Sequence, residues 1–173
     1  GALLQYLHET QKNSLDHINR IDVYSIEDYM IIDSSSRRNL ELTETLREKN
    51  KRGSLLWILD KTKTAMGARL LRTYIEQPLI EKSEILKRQG AIQALVNSAI
   101  DREELREYLN PIYDLERIIS RIANNTANPR DLVSFRTSLE MLPPMKHILG
   151  TFDDSMLTEI NENMDALTDI TEM

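Results

Sequence analysis

Cysteine is absent from the sequence. Disulfide frameworks and thiolate chemistry are therefore excluded, and the composition suits a reducing, cytoplasmic setting. Histidine is scarce, with three in the chain. His8 and His17 lie too far apart to share one helix face as paired ligands, so packing or surface roles are expected rather than metal binding. No apolar run approaches the ~20 residues of a membrane span. The opening residues carry neither a basic region nor a cleavage site, so no secretory signal is expected. Neither Gly67 nor Gly90 has the Lys-Ser or Lys-Thr partner that a phosphate-cradling loop requires. Aromatics amount to 5%, and the basic residues lack the interleaved rings of a base-stacking surface.

What is present is a globular composition. The 173 residues are 40% hydrophobic and 29% charged, which fits one ordinary domain. A chain of this length buries ~70% of the surface it exposes when unfolded. The net charge of −6 is the wrong sign for a domain whose whole surface grips phosphates. The charge is unevenly spread. Residues 34–72 hold ten Lys or Arg against four Asp or Glu, a local balance of +6, while residues 151–173 hold seven acids and no base. The basic segment reads first as a solvated helical face or as intramolecular pairing, and second as a phosphate-facing patch.

The densest apolar run is residues 53–79, GSLLWILDKTKTAMGARLLRTYIEQPL, which holds the only tryptophan, Trp57. Ser54 is placed to cap a helix by accepting from an otherwise unpaired backbone N–H. Residues 55–60 are almost all large and apolar, which predicts a helix buried on every side. Thr64 caps a second helix with Met66, Leu70, Leu71, Tyr74 and Ile75 inward and Arg69, Arg72 and Glu76 on the wet side. Gly67 costs ~1 kcal/mol against alanine in a helix interior, which predicts close approach by another backbone. Pro78 biases Gln77 out of helix and ends the run.

Ahead of this hub, Leu3, Leu4, Leu7, Leu15 and Ile18 recur at helical spacing, with Gln5, Glu9 and Lys12 outward. No cap precedes Ala2, so the sequence is expected to open inside an element, as a fragment would. Residues 29–32, Tyr-Met-Ile-Ile, have the length of one buried strand or extended segment. Ser34, Ser35 and Ser36 offer caps for a short helix over residues 37–42. Arg37, Arg38 and Asn39 are expected to tie that helix to carboxylates rather than hold a phosphate. Residues 43–52 read as a polar, basic loop.

Beyond Pro78 come capped helices. Ile85, Leu86, Ile92, Leu95 and Val96 make one stripe, with Lys82, Lys87 and Arg88 at polar positions. Asp101 and Glu104 read as a capping pair for a helix through Leu109. Asn110-Pro111 and Asn128-Pro129 both read as cap plus first-turn proline. Ile112, Leu115, Ile118, Ile119 and Ile122 point inward from the first, and residues 124–128 form a turn. The second helix is expected to reach Leu142, where Pro143-Pro144 breaks or kinks it. Residues 145–149 resume the spacing, and Gly150 closes it. Asp153, Asp154 and Ser155 cap a last helix carrying Met156, Leu157, Ile160, Met164 and Leu167, still amphipathic at Ile170. The fold expected is all-α: an irregular lobe of seven to nine helices with room for one short strand near residues 29–33.

No catalytic constellation is visible, and no catalytic, cofactor-binding or metal residue is assigned. Asp153-Asp154 reads as a helix N-terminus that favours acids electrostatically. Glu103-Glu104, Asp114 and Glu116 read as solvated helix faces. The tyrosines and methionines sit at core-like spacing.

Five blocks carry a resemblance: Tyr29-Met-Ile-Ile-Asp33, Arg37-Arg-Asn-Leu-Glu-Leu42, residues 53–79, Asp114-Leu-Glu-Arg117 and Ala127-Asn-Pro-Arg-Asp-Leu132. In their order and spacing they resemble the core domain of the MutS family of DNA mismatch-repair proteins. The resemblance implies that residues 1–173 are the first lobe of a bacterial core, or lever, domain. Such a lobe would couple nucleotide state to the DNA clamp while lacking the mismatch-reading, clamp and ATPase domains. It implies a cytoplasmic homodimeric parent that uses ATP and Mg and binds mismatched duplex through other domains. The lobe itself would have no cofactor, no enzyme activity and at most weak DNA binding. Two further classes compete: a stand-alone helical adaptor for protein partners, and a compact helical enzyme or nucleotide binder. The first wants closed, capped ends, and the second wants a converging polar set that is not found. The first helix (Leu3, Leu4, Leu7) and the last (Met156, Ile160, Met164, Leu167) both carry apolar faces, so fraying of the terminal residues or self-association through these helices is expected.

Overall fold

A computed structural model of the chain describes residues 5–6, 9–10 and 28–171. Most of the expected opening helix, with His8 and His17, lies outside the described residues; Gln5, Tyr6, Glu9 and Thr10 are helical. Among the described residues ten α-helical segments follow: α1 (Ser34–Asn39), α2 (Leu55–Leu59), α3 (Ala65–Glu76), α4 (Lys82–Asn97), α5 (Ala99–Leu109), α6 (Leu115–Ala123), α7 (Pro129–Leu139), α8 (Leu142–Leu149), α9 (Ser155–Asn163) and α10 (Thr168–Thr171). Eight of them run six residues or longer, so the fold is all-α. Among the described residues the one β feature is an isolated antiparallel bridge between Tyr29 and Leu79.

The core is built by α4, α5, α8 and α9. They enclose Ala91, Leu105, Met145, Ile148, Leu149 and Leu157. Smaller unions sit beside it: α6 packs on α7, and α2 on α3. Ile118 and Leu139 are buried on α6 and α7. Leu42 and Leu56 are buried near the start of α2, where the Leu56 N–H donates to the Leu42 carbonyl at 2.9 Å.

Local chemistry accounts for most of the helix starts. Ser54 Oγ accepts from Trp57 N, Thr64 Oγ1 from Gly67 N, and Asp154 Oδ1 from Met156 N and Leu157 N. Asn128 and Asp131 form a reciprocal capping box behind Pro129. Each satisfies backbone donors that a helix N-terminus leaves orphaned.

Other expectations give way to the structure. Residues 29–32 are not a buried strand, since Ile31 is 81% exposed and Met30 is exposed too. Their pairing is limited to one bridge, with Met30 N donating to Pro78 O at 2.7 Å. The helix expected over 37–42 starts earlier, at Ser34, because Asp33 rather than a serine caps it. Trp57 is 46% exposed, and Leu55, Ile58 and Leu59 are exposed as well. A five-residue helix offers one face to the fold, and only Leu56 occupies it. At Gly67, an added Cβ would meet the side chains of Thr64 and Thr62 at 3.1 and 3.5 Å. The helix's own cap crowds that glycine, and no second backbone does.

In α4 the expected stripe is split, with Leu86, Ile92 and Val96 exposed. The inward face instead runs Lys87, Arg88, Ala91, Ala94 and Leu95. Asp101 does not cap α5; it lies in the first turn and accepts from the hydroxyl of Ser98, the N-cap. Asn110 ends α5 and begins no helix; α6 starts at Leu115 behind Asp114. On α6, Ile118 is buried whereas Ile119 and Ile122 are exposed. Helix α7 ends at Leu139, and the two prolines fall in the first turn of α8, where a missing N–H costs nothing. The last expected helix stops at Asn163, and α10 begins again at Thr168 after Leu167 adopts φ 48°.

Candidate functional site

The structure brings together charged side chains far apart in sequence. Arg69 of α3 reaches Asp114 with both guanidinium arms, Nη1 to Oδ2 at 2.7 Å and Nη2 to Oδ1 at 2.8 Å. The same Nη2 lies 2.5 Å from Glu116 Oε2. A two-armed fork fixes orientation as well as distance. Asp114 also caps α6 by accepting from Arg117 N. The Arg69 guanidinium holds the Asp114 carboxyl below its ordinary range, and Asp114, then Glu116, hold Arg69 above its own. Asp114 and Glu116 are therefore not merely solvated faces, and Arg69 is not merely on a wet side.

The pattern repeats one element later. Arg121 of α6 forks onto Asp131 of α7, with contacts of 3.1 and 2.6 Å. Asp131 simultaneously closes the capping box at Asn128. Arg121 lowers the Asp131 pKa, with help from the Asn128 N–H. In both cases one carboxylate serves the N-terminal cap of its own helix and anchors a neighbouring one, so α3, α6 and α7 form a charged chain. Ser138, fully buried, adds a neutral tie: its hydroxyl donates to Ser134 O at 2.8 Å and accepts from Tyr113 N at 3.0 Å.

An open cleft of about 510 Å³ lies between α3, α4 and α9, lined by Tyr74, Glu84, Lys87, Arg88, Met156 and Ile160 among others. Its cations are engaged. Arg88 sits 3.6 Å over the Tyr74 ring, and Lys87 pairs with Glu159, which raises the Lys87 pKa. Among the described residues no group of three or more metal-ligating side chains converges. No described helix is long and apolar enough to cross a membrane.

The basic segment divides. Arg69 and Arg72 pair with carboxylates, the latter with Glu76 at 3.0 Å, and Lys51 pairs with Asp60. Arg37 donates to the Ile32 carbonyl at 3.1 Å rather than to a carboxylate. Periodicity could not have found the Arg69 junction, because its partners are 45 and 47 residues away.

A family model described as MutS domain III matches residues 35–172. The chain belongs to the MutS domain III family. It is 61% identical over 170 residues to the DNA mismatch repair protein MutS of Lachnoclostridium phytofermentans, covering 98% of this chain and 18% of that protein. Against the MutS of Clostridium beijerinckii the identity is 51% over 172 residues, covering 99% and 18%. For Clostridium perfringens MutS it is 50% over 170 residues, covering 98% and 19%. The chain thus spans under a fifth of the length of these relatives. Two of the blocks that carry the resemblance, Asp114–Arg117 and Ala127–Leu132, hold the cap carboxylates of the two junctions.

Proposed function

We propose that this MutS domain III chain is the first lobe of a lever-like core within a longer mismatch-repair protein, transmitting displacement without chemistry of its own. In this reading residues 1–173 contain no catalytic, cofactor-binding or metal residue. ATP and Mg are used by another domain, mismatched duplex is recognised through others with at most weak DNA binding by this lobe, and the whole protein is a cytoplasmic homodimer. The observation that carries the reading is the Arg69 fork onto Asp114 and Glu116. A lever must keep its joints stiff under load, and a two-armed pair anchored on a helix cap resists rotation where a single contact would not. The relatives' name, DNA mismatch repair protein, supports the setting.

The test belongs in the whole protein. Arg69→Met keeps the stem and removes the fork, while Arg69→Lys keeps the charge without the second arm. Coupling of ATP binding to DNA release should weaken in the order Arg, Lys, Met, with ATP turnover in the absence of DNA unchanged. Equal coupling in all three sinks the lever role of this joint. ATP turnover by the isolated chain, purified free of contaminating ATPase, would sink the claim that it carries no chemistry.

A further inference from the structure

The loops at the two ends of α2 use their charges asymmetrically. In residues 40–53 and 60–64, three of the four acids accept bonds within the loops, and one of these, Asp60, is neutralised by a cation. Glu41 Oε1 accepts from Leu46 N at 2.6 Å, and Glu48 Oε2 from Asn50 Nδ2 at 3.2 Å. Asp60 pairs with Lys51 and accepts from the Thr62 hydroxyl at 2.6 Å. Of the bases only Lys51 is so engaged; Arg47, Lys49, Arg52, Lys61 and Lys63 are exposed and form no ion pair among the described residues. Glu44 accepts no such bond and is exposed; the two loops together hold six bases against four acids, a balance of +2.

These bases sit on ordered backbone. Thr45 N donates to Asn50 O at 2.9 Å, Lys49 N to Thr45 O at 3.1 Å, and Asn50 N to Thr45 Oγ1 at 3.3 Å. Gly53 takes φ 97° where a Cβ would stand 3.1 Å from Thr45 Cγ2, so glycine is required for this close return. The Lys51–Asp60 pair clasps the two loops to each other. Between them α2 rises only ~7.5 Å, while a duplex carries one charge per ~1.7 Å of axis. Bases from both loops can therefore meet one stretch of backbone.

We infer that the surface made by Arg47, Lys49, Arg52, Lys61 and Lys63 docks the phosphate backbone of duplex DNA, without reading its sequence. The choice of duplex over another polyanion rests on the mismatch-repair setting proposed above; the outward bases rest on geometry alone. The surface is local, and the acidic remainder of the chain keeps the affinity low.

The experiment is a fluorescence-anisotropy titration of the chain with a labelled 20-base-pair duplex at increasing salt. With five phosphates engaged, log K should fall against log salt with a slope of about −4.5, so affinity drops about 500-fold between 50 and 200 mM. Matched and mismatched duplexes should bind equally. The triple variant Arg47→Glu, Lys49→Glu, Arg52→Glu should cut the slope to about −2 or less. Lys61→Gln with Lys63→Gln, on the other loop, should cut it by about 2 while the helical circular dichroism stays unchanged. Binding with an unchanged slope in both variants overturns the surface, as does no binding at 20 mM salt. Equal affinity for polyglutamate overturns the choice of duplex. None of these outcomes bears on ATP coupling through Arg69, so this inference and the lever reading fail separately.

Discussion

At the scale of single residues, the positions that matter are small and polar. Ser138 has no exposed surface and satisfies two backbone groups with one hydroxyl, tying residue 113 to α7. Ser138→Ala should cost about 1–2 kcal/mol, because it strands the Tyr113 N–H without a partner. Urea melts give the cost, and faster amide exchange at Tyr113 locates it. Asp60 makes the complementary case for charge. Its bond from Lys51, then that from Thr62, lowers its pKa from 3.8 to about 2. A carboxylate with a depressed folded pKa stabilises the fold above its unfolded pKa, and loses that contribution as pH falls through the folded value. Stability should therefore fall between about pH 4 and pH 2. Asp60→Asn should flatten that window and leave part of the slope, since Asp33, Asp114 and Asp131 are lowered too.

Elements are defined here by their ends more than by their stripes. Two Asn-Pro pairs look alike in sequence, yet only Asn128 accepts from the backbone at the third helical position. Asn110 closes α5, its own N–H bonded to Glu107 O at 3.2 Å. Asn128→Ala should accordingly cost ~1 kcal/mol, whereas Asn110→Ala should fall within ~0.5 kcal/mol of the parent. Equal losses in denaturant titrations would mean that Asn110 has an N-capping role the geometry does not give it. The split stripe of α4 has an end-on cause as well. Its inward face includes the small Ala91 and Ala94, which let α9 approach, and Lys87 on that same face pairs with Glu159.

For the whole molecule, the core of α4, α5, α8 and α9 is the unit that holds the fold. Leu157, 4% exposed and inside that core, should cost ~2–5 kcal/mol when cut to alanine. Trp57, though larger, should cost less than the ~3–5 kcal/mol of a buried aromatic, because nearly half of it is already in water. Its native fluorescence should be red-shifted and readily quenched by acrylamide. A blue-shifted, protected tryptophan would contradict the exposed face of α2. Hydrogen exchange should be slowest in α4, α5, α8 and α9, since amides there open only with the main core.

The sequence by itself determined the helical class and the caps at Ser54, Thr64, Asn128 and Asp154, and its ordered blocks resembled the family to which the chain belongs. Those features depend on neighbours within a turn or two, so local chemistry suffices to specify them. Which apolar side chains are buried was decided only in three dimensions. Trp57, Ile92 and Val96 are as apolar as Leu56 and Leu157, and nothing in their spacing says which of them meets another element. The same holds for Arg69: its sequence neighbours place it on a helix flank, but its role comes from Asp114 and Glu116, carried to it by the packing of everything between. Burial and long-range pairing depend on how whole elements meet, and residue spacing within one element carries no record of that.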